Sequence, residues 1–443
     1  MSIIAEGEFG LTSTALPRAS ERCSTLPAWL LLMGLILPAA QVQLYLADAK
    51  LTVGRIGILL LIIPAAARLV RAGRHILVSD YLACAVAAWM FAAATYTGGP
   101  GAISSTGAES LEFLGGYLVA RGFFFGPAAI YSFIKPFKLV TAYIVVLALF
   151  DNLSGRLIVQ EMFSAAFGSS ATLSPDYRLY WVRAASTFDH PILLGTYCTV
   201  ACGIFLFSEQ RPLSKLLWAG LSVFGCLLSL SSAPLLSCVI VMMLYLYDTA
   251  LKQYSERWRA LQLCLVTIVL VILAVANHPL GWIISHLTFD PVSGYFRMLI
   301  WDAAIQKIMD SPFTGYAFGP LKHDILDTTV DSVWLVFALR FGLPMIILLV
   351  LTNIASVLPA KSRFQGVMED PSAPDLRIAF TVAVVMLMFT GLTVHYWNYL
   401  WIFWGVCIGI RASLRESSLY PVSPYPTVRT RRRERNAASS MAA

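Results

Sequence analysis

The stretch PILLGTYCTVACGIFLF, residues 191–207, contains no charged side chain and is long enough to cross a membrane as a helix. Apolar runs of this kind recur along the chain, and some of them need their flanking residues to reach the roughly 17 residues that a span requires. This recurrence predicts an all-α polytopic membrane protein of about twelve transmembrane helices. The predicted spans are Pro27–Ala47, Val53–Val70, Val78–Thr97, Ser110–Ile130, Pro136–Phe150, Pro191–Phe207, Lys215–Leu230, Pro234–Tyr247, Leu261–Asn277, Ser332–Leu358, Ile378–His395 and Tyr399–Ile410.

The composition of the whole chain supports this class. Of its 443 residues, 58% are apolar and only 13% are charged, whereas soluble domains have about 45–50% apolar and about 25% charged residues. These values exclude a soluble globular enzyme and a disordered chain. Most cysteines lie inside the apolar runs, which excludes a disulfide scaffold.

The distribution of positive charge indicates an orientation. Most of the 32 Lys and Arg residues fall on one side when the N-terminus is placed in the cytoplasm and the spans alternate. Both termini are therefore predicted to be cytoplasmic, and the net charge of +7 is a topology signal that predicts no nucleic-acid partner. The predicted segments are a cytoplasmic tail (1–26), a first transmembrane bundle (27–150), an outer loop (151–190), central transmembrane helices (191–277), a large outer loop (278–331), C-terminal transmembrane helices (332–411) and a basic cytoplasmic tail (412–443).

The two long outer loops are the segments most expected to carry function. In the second loop, apolar residues recur at helical spacing from Phe296 to Ile308, and Ser311, Pro312 and Gly315 follow as helix-ending residues. This pattern predicts an amphipathic helix at the outer interface that carries Arg297. No internal repeat is visible, which counts against a transporter built from duplicated halves.

The candidate chemistry lies in outer carboxylates, histidines and arginines. No pair of histidines has metal-ligand spacing, and no phosphate-binding glycine loop is present, so we predict no metal and no cofactor. Arg183 and Arg297 are candidates for binding a diphosphate, because the planar guanidinium group binds phosphate oxygens with two hydrogen bonds. The alternative is that both anchor the chain at lipid headgroups.

Asp331 opens a predicted span, either as a general base or as a carboxylate that stabilises the first turn of a helix. Arg340 follows nine residues later, about 13 Å deeper along a helix, where a charged residue usually faces a cavity. At about 100° per residue the two side chains point in opposite directions, so we expect them not to share one pocket wall.

Three further residues are secondary candidates. His190 either pairs with Asp189 or caps the helix that starts at Pro191. His323 and Asp48 are each either a base or a solvated loop residue.

Four stretches carry a resemblance to a known family. They are RAASTFDHPILLG (183–195), RMLIW (297–301) followed by SPFTGYAFG (311–319), DSVWL (331–335) ending at FGL (341–343), and the segment from Glu109 to Arg121. In this order and spacing, the chain resembles the bacterial O-antigen ligase and polymerase superfamily, especially its exopolysaccharide-polymerase branch.

This resemblance implies a metal-independent membrane glycosyltransferase of the C type (GT-C) that uses an undecaprenyl-diphosphate-linked glycan donor at the periplasmic face of the inner membrane. It also implies that Arg183 and Arg297 hold the diphosphate. Asp331 stands where the ligases have a histidine proposed as the base, and this departure favours polymerisation of exopolysaccharide or O-antigen repeat units over ligation to the lipid A core. The implied partners are the glycan donor, a glycan acceptor, membrane lipids, a flippase and a chain-length regulator.

Other functions stay open at this stage. The chain could be an O-antigen ligase, a transporter or flippase for lipid-linked sugars, or a non-catalytic assembly protein. The missing repeat and the structured outer loop argue against the transporter.

Overall fold

A computed structural model describes residues 24–46, 49–169, 173–275, 291–359 and 370–419. Most of these residues are helical. The helices are α1 (Leu26–Ile36), α2 (Val53–Arg71), α3 (Val78–Gly98), α4 (Ile103–Phe123), α5 (Gly126–Ser154), α6 (Ile158–Phe167), α7 (Pro191–Ser208), α8 (Pro212–Leu228), α9 (Ser232–Ala250), α10 (Arg257–Val275), α11 (Pro291–Asp310), α12 (Val333–Phe341), α13 (Leu343–Val357), α14 (Ala373–Thr390) and α15 (Tyr399–Ser417). Two small antiparallel hairpins complete the described fold: β1 (Gln43–Leu46) with β2 (Ala49–Thr52), and β3 (Tyr177–Arg178) with β4 (Trp181–Val182).

The helix content confirms the predicted all-α class. Among the described residues, six helices are long and apolar enough to cross a membrane, namely α2, α3, α5, α7, α9 and α14. Helices α1, α6, α8 and α13 are apolar but shorter. The predicted helix in the second long loop is also present as α11, which ends at Asp310, immediately before Ser311 and Pro312.

Three of the predicted spans were wrong as single helices. The run Ser110–Ile130 contains the end of α4 at Phe123 and the start of α5 at Gly126. The run Pro27–Ala47 is helical only within the 11 residues of α1. The backbone becomes extended at Leu37 because the residue before a proline, here Pro38, disfavours the helical conformation. The run Ser332–Leu358 is divided into α12 and α13 at Gly342. The first of the two predicted long loops, 151–190, also contains regular structure, namely α6 and the β3–β4 hairpin.

The break at Gly342 is held by residues 311–317. The backbone N–H groups of Tyr316 and Ala317 donate to the last carbonyl groups of α12 at 2.7 and 2.9 Å. Gly342 has a φ of +78°, and a Cβ at this position would lie 2.0 Å from the carbonyl oxygen of Phe313. Only glycine fits this position. The contact also shows that two of the stretches that carry the family resemblance, 311–319 and the one that ends at FGL (341–343), pack directly on each other.

Helix α4 forms the centre of the bundle, between α2 and α15. A Cβ on Gly405 would lie 2.3 Å from the carbonyl oxygen of Phe113, and one on Gly409 would lie 2.5 Å from that of Tyr117. The backbones of α4 and α15 therefore touch, which is how small residues let helices associate within membranes. The rings of Phe113 and Trp401 stack beside this contact, with centroids 4.6 Å apart.

A buried ion network fastens the C-terminal end of α4. Arg121 is fully buried and pairs with Asp80 of α3 at 2.7 Å and with Glu416 of α15 at 2.6 Å. Arg74 binds Glu416 as well, at 2.5 Å. Removing one partner would leave a buried charge without compensation, so this network fixes the relative positions of three helices.

We expect Gly409→Ala to lower the thermal unfolding temperature of the detergent-purified protein by several degrees. The added methyl group must push α15 away from α4, and such overpacking costs about 1–3 kcal/mol. The matched control is Gly220→Ala, at an exposed helical glycine with nothing within 4 Å of an added Cβ. Equal unfolding temperatures for the two variants would contradict the proposed close contact.

Candidate functional site

A polar cavity of about 290 Å³ lies beside the first turns of α4. Charged, polar and aromatic side chains share its wall, as expected for a site that binds a polar ligand. The lining residues are Lys50, Arg55, Ser104, Ser105, Ala108, Glu109, Glu112, Phe318, Phe337, Tyr396, Trp397, Asn398 and Trp401.

The cavity is built from separate parts of the chain. The β1–β2 hairpin delivers Lys50 and leads into the first turn of α2, which carries Arg55. Glu109 and Glu112 are three residues apart on α4 and therefore share one helix face. The connection between α14 and α15 supplies Trp397 and Asn398.

Both cavity glutamates are bound by arginines. The Nε atom of Arg55 donates to Glu112 at 2.8 Å, and Arg340 forms an ion pair with Glu109. The guanidinium of Arg340 also lies 4.9 Å from the ring centroid of Phe318, an attractive cation–π arrangement. Arg340 thus reaches a carboxylate of the cavity wall, as its predicted depth suggested.

One carboxylate oxygen in the cavity wall is left without a protein donor. The Oε2 atom of Glu109 is buried and has no hydrogen-bond partner among the residues that the structure describes. A buried acceptor of this kind costs free energy unless a donor reaches it. This oxygen is therefore a locally unfavourable feature of the cavity wall.

Arg183 and Asp331, two of the sequence-predicted residues, both act electrostatically on a third, His190. The β3–β4 hairpin closes through a hydrogen bond from the Arg183 N–H to the carbonyl oxygen of Asp176, at 2.9 Å. The Arg183 guanidinium then pairs with the Asp176 carboxylate at 2.5 Å and donates to Ser231 at 2.8 Å. Its buried Nε atom has no hydrogen-bond partner in the described part of the chain.

His190 caps α7 and lies within electrostatic reach of Arg183. Its Nδ1 accepts a hydrogen bond from the Ile192 N–H at 3.2 Å. Burial lowers the pKa of His190, and the charge of Arg183 lowers it further, while Asp331 and Asp176 oppose this shift. The neutral ring accepts at Nδ1, so its proton is on Nε2, which makes His190 a hydrogen-bond donor towards the site.

Asp331 precedes α12 and accepts a hydrogen bond from the Thr329 hydroxyl at 2.8 Å. Its charge acts on His190, whereas Arg340 binds Glu109, in agreement with the expectation that Asp331 and Arg340 face different surroundings.

Trp397 connects His190 with the cavity. Its ring centroid lies 6.4 Å from that of His190, and the same side chain lines the cavity. The neighbouring Asn398 donates to Asp189, the residue before His190. Asp189 itself is held in a buried setting that raises its pKa. Asp189 and His190 therefore lie next to the cavity wall.

The remaining predicted residues have other positions. Arg297 is half-buried on α11, which packs against α12 through residues that include Ile300 and Ala304. The Nδ1 of His323 accepts from the Ile325 N–H at 3.3 Å, so His323 shapes a turn and its prediction as a base is not supported by this geometry. Asp48 lies outside the described residues.

No model of a known protein family matches the chain, and a search of curated proteins finds no match.

The cavity residues were not selected as candidates from the sequence. Lys50 and Arg55 look like ordinary charges beside a membrane span. Glu109 and Glu112 could have been recognised in the sequence, because two carboxylates within a largely apolar segment must have buried partners. Those partners, however, come from segments far away in sequence.

His395 provides a pH test of this region. It lies in the connection between α14 and α15, with its ring centroid 5.3 Å from that of Trp397. Burial, and secondarily the charge of Arg340, lowers the pKa of His395 to about 3. The unfolded chain therefore takes up a proton near pH 6.5 that the folded chain does not.

We expect this difference to reduce the free energy of unfolding as the pH falls from 6.5 towards 4.5, by about 2 kcal/mol at the lower pH. Thermal unfolding of the wild type and His395→Gln at pH 7 and pH 4.5 measures this. The variant should lose less stability on acidification than the wild type, while a variant of the exposed His75, His75→Gln, should behave like the wild type. An unchanged acid sensitivity in His395→Gln would contradict the burial of a neutral histidine.

Proposed function

We propose that the chain is a GT-C-type membrane glycosyltransferase with about twelve transmembrane helices. In this proposal it polymerises undecaprenyl-diphosphate-linked oligosaccharide repeat units into exopolysaccharide or O-antigen at the periplasmic face of the bacterial inner membrane. One observation carries the proposal: Arg183 and Asp331 both act electrostatically on His190, whose ring lies 6.4 Å from that of Trp397 in the cavity wall.

Arg183 is suited to the donor diphosphate. Its present counter-ion, Asp176, is mostly exposed, with 59% of its side chain accessible, so a diphosphate can take its place at little cost. The planar guanidinium can bind a phosphate oxygen through the Nη1 atom that now contacts Asp176. The assignment of Arg297 to the same diphosphate is kept in the proposal on the sequence resemblance alone.

Asp331 is the group that takes the proton. The acceptor sugar's hydroxyl oxygen forms a bond to the anomeric carbon of the donor, the bond from that carbon to the diphosphate oxygen breaks, and undecaprenyl diphosphate leaves. The hydroxyl proton goes to the Asp331 carboxylate. The Nε2–H of His190 donates to a diphosphate oxygen as negative charge builds up on the leaving group.

The cavity is suited to the sugars themselves. Trp397 is part-buried and presents aromatic surface against which the C–H face of a sugar ring can pack. Glu109, Asn398 and the two serines offer hydrogen-bonding groups to its hydroxyls. A volume of about 290 Å³ accommodates a single sugar ring, with the rest of the glycan outside.

Adding purified protein to lipid-linked repeat units should produce a ladder of polymer lengths on a gel. We expect Arg183→Ala to slow ladder formation by about 10²–10³-fold, because a charge-stabilising donor is lost from the transition state. Asp331→Asn should slow it by about 10²–10⁴-fold through loss of the base.

Arg156→Ala is the matched control, since Arg156 lies in the same outer segment and forms an exposed pair with Glu161. Its ladders should equal those of the wild type. Wild-type protein that makes no ladder, or full activity in Arg183→Ala and Asp331→Asn, would sink the proposal. Products appearing only when a lipid A core acceptor is added would instead identify a ligase.

A transporter of lipid-linked sugars is the second candidate, favoured by the ion pairs Arg55–Glu112 and Arg340–Glu109 beside an internal cavity. Proteoliposomes distinguish the two functions. Translocation of labelled repeat units without change in their length supports the transporter, whereas lengthening without translocation supports the polymerase.

A further inference from the structure

The charges of the cavity are unevenly balanced. Arg55 is paired with Glu112, and Glu109 is paired with Arg340. Lys50 is the remaining charged residue of the cavity wall. Among the residues that the structure describes, no carboxylate forms an ion pair with it.

Lys50 is also held in position. Its own carbonyl oxygen accepts a hydrogen bond from the Arg55 guanidinium, which ties strand β2 to the first turn of α2. The side chain is half-buried, and burial lowers the pKa of Lys50, while the charges of Asp189 and Glu112 oppose this shift from a distance. A partly desolvated ammonium group of this kind gains most from an anion that enters the cavity.

The groups around Lys50 limit what that anion can belong to. Trp397 provides aromatic surface, and Asn398 provides an amide. A compact inorganic anion would use neither, and the Glu109 and Glu112 carboxylates would repel a highly charged one. A sugar ring with one carboxylate uses both.

We propose that this cavity binds a sugar residue that carries a carboxylate, such as a uronic acid, with the carboxylate on Lys50, the ring against Trp397, and hydroxyls on the Asn398 amide. The assignment of this sugar to the growing glycan rests on the proposed polymerase function; the binding preference itself does not. In this proposal Lys50 selects a sugar that carries a carboxylate, whereas Arg183 binds the diphosphate of the donor.

The test measures binding to the full-length protein in detergent, through the fluorescence of its tryptophans and ligand-observed NMR. The probes are cellobiouronic acid, its methyl ester, cellobiose and inorganic pyrophosphate. We expect the acid to bind about tenfold more tightly than the ester or cellobiose, as a partly buried charge pair allows.

Lys50→Gln should abolish the preference for the acid while leaving the affinity for the ester unchanged, and Lys50→Arg should retain it. Lys252→Gln, at an exposed lysine after α9, is the control and should match the wild type. Thermal unfolding confirms that each variant is folded. The inference is overturned if the acid and the ester bind equally, if none of the three sugars binds, if the preference survives in Lys50→Gln, or if pyrophosphate binds with the same dependence on Lys50.

Ladder formation by the same variants separates this inference from the proposed function. Ladders from neutral repeat units without any acid preference in binding would remove the inference and keep the polymerase. An acid preference that depends on Lys50, in a protein that makes no ladders, would keep the binding site and remove the polymerase.

Discussion

The backbone contact between α4 and α15 is the constraint on which the described structure depends. Gly405 and Gly409 bring the two helices so close that carbonyl oxygens of α4 occupy the space of the missing side chains. This contact fixes the rotation of α4. Its carboxylates then face the cavity at one end, and Arg121 enters its ion network at the other, about 18 Å away along the helix.

The buried charges of the protein are compensated in different ways at these two ends. Around Arg121, each charged group has partners from other helices, which makes a closed and rigid arrangement. In the cavity, the pairs leave Lys50 without an ion pair and one Glu109 oxygen without a hydrogen bond among the residues that the structure describes. The first arrangement is suited to holding helices together, and the second is suited to receiving a ligand.

The sequence predicted the helical class and several spans because hydrophobic length is a local property. Arg183 and Asp331, selected from the sequence as candidates, both act electrostatically on His190, and their roles stay predictions. The sequence could not predict the cavity, because Lys50 and Glu109 have no visible relationship until β2, α4 and the α14–α15 connection are packed. The division of one predicted span at Gly342 could not be predicted either, because it depends on contacts with residues 311–317.

The segment 311–317 also constrains how the chain can vary in length. Ala317 donates to the carbonyl of Arg340, whose guanidinium binds Glu109, so one residue connects the outer loop to the cavity. An insertion within 311–317 would shift this register and move the arginine away from its carboxylate. The following segment, 320–330, forms no backbone hydrogen bond with α12 among the described residues. We therefore expect insertions and deletions in related chains to be more frequent in 320–330 than in 311–317.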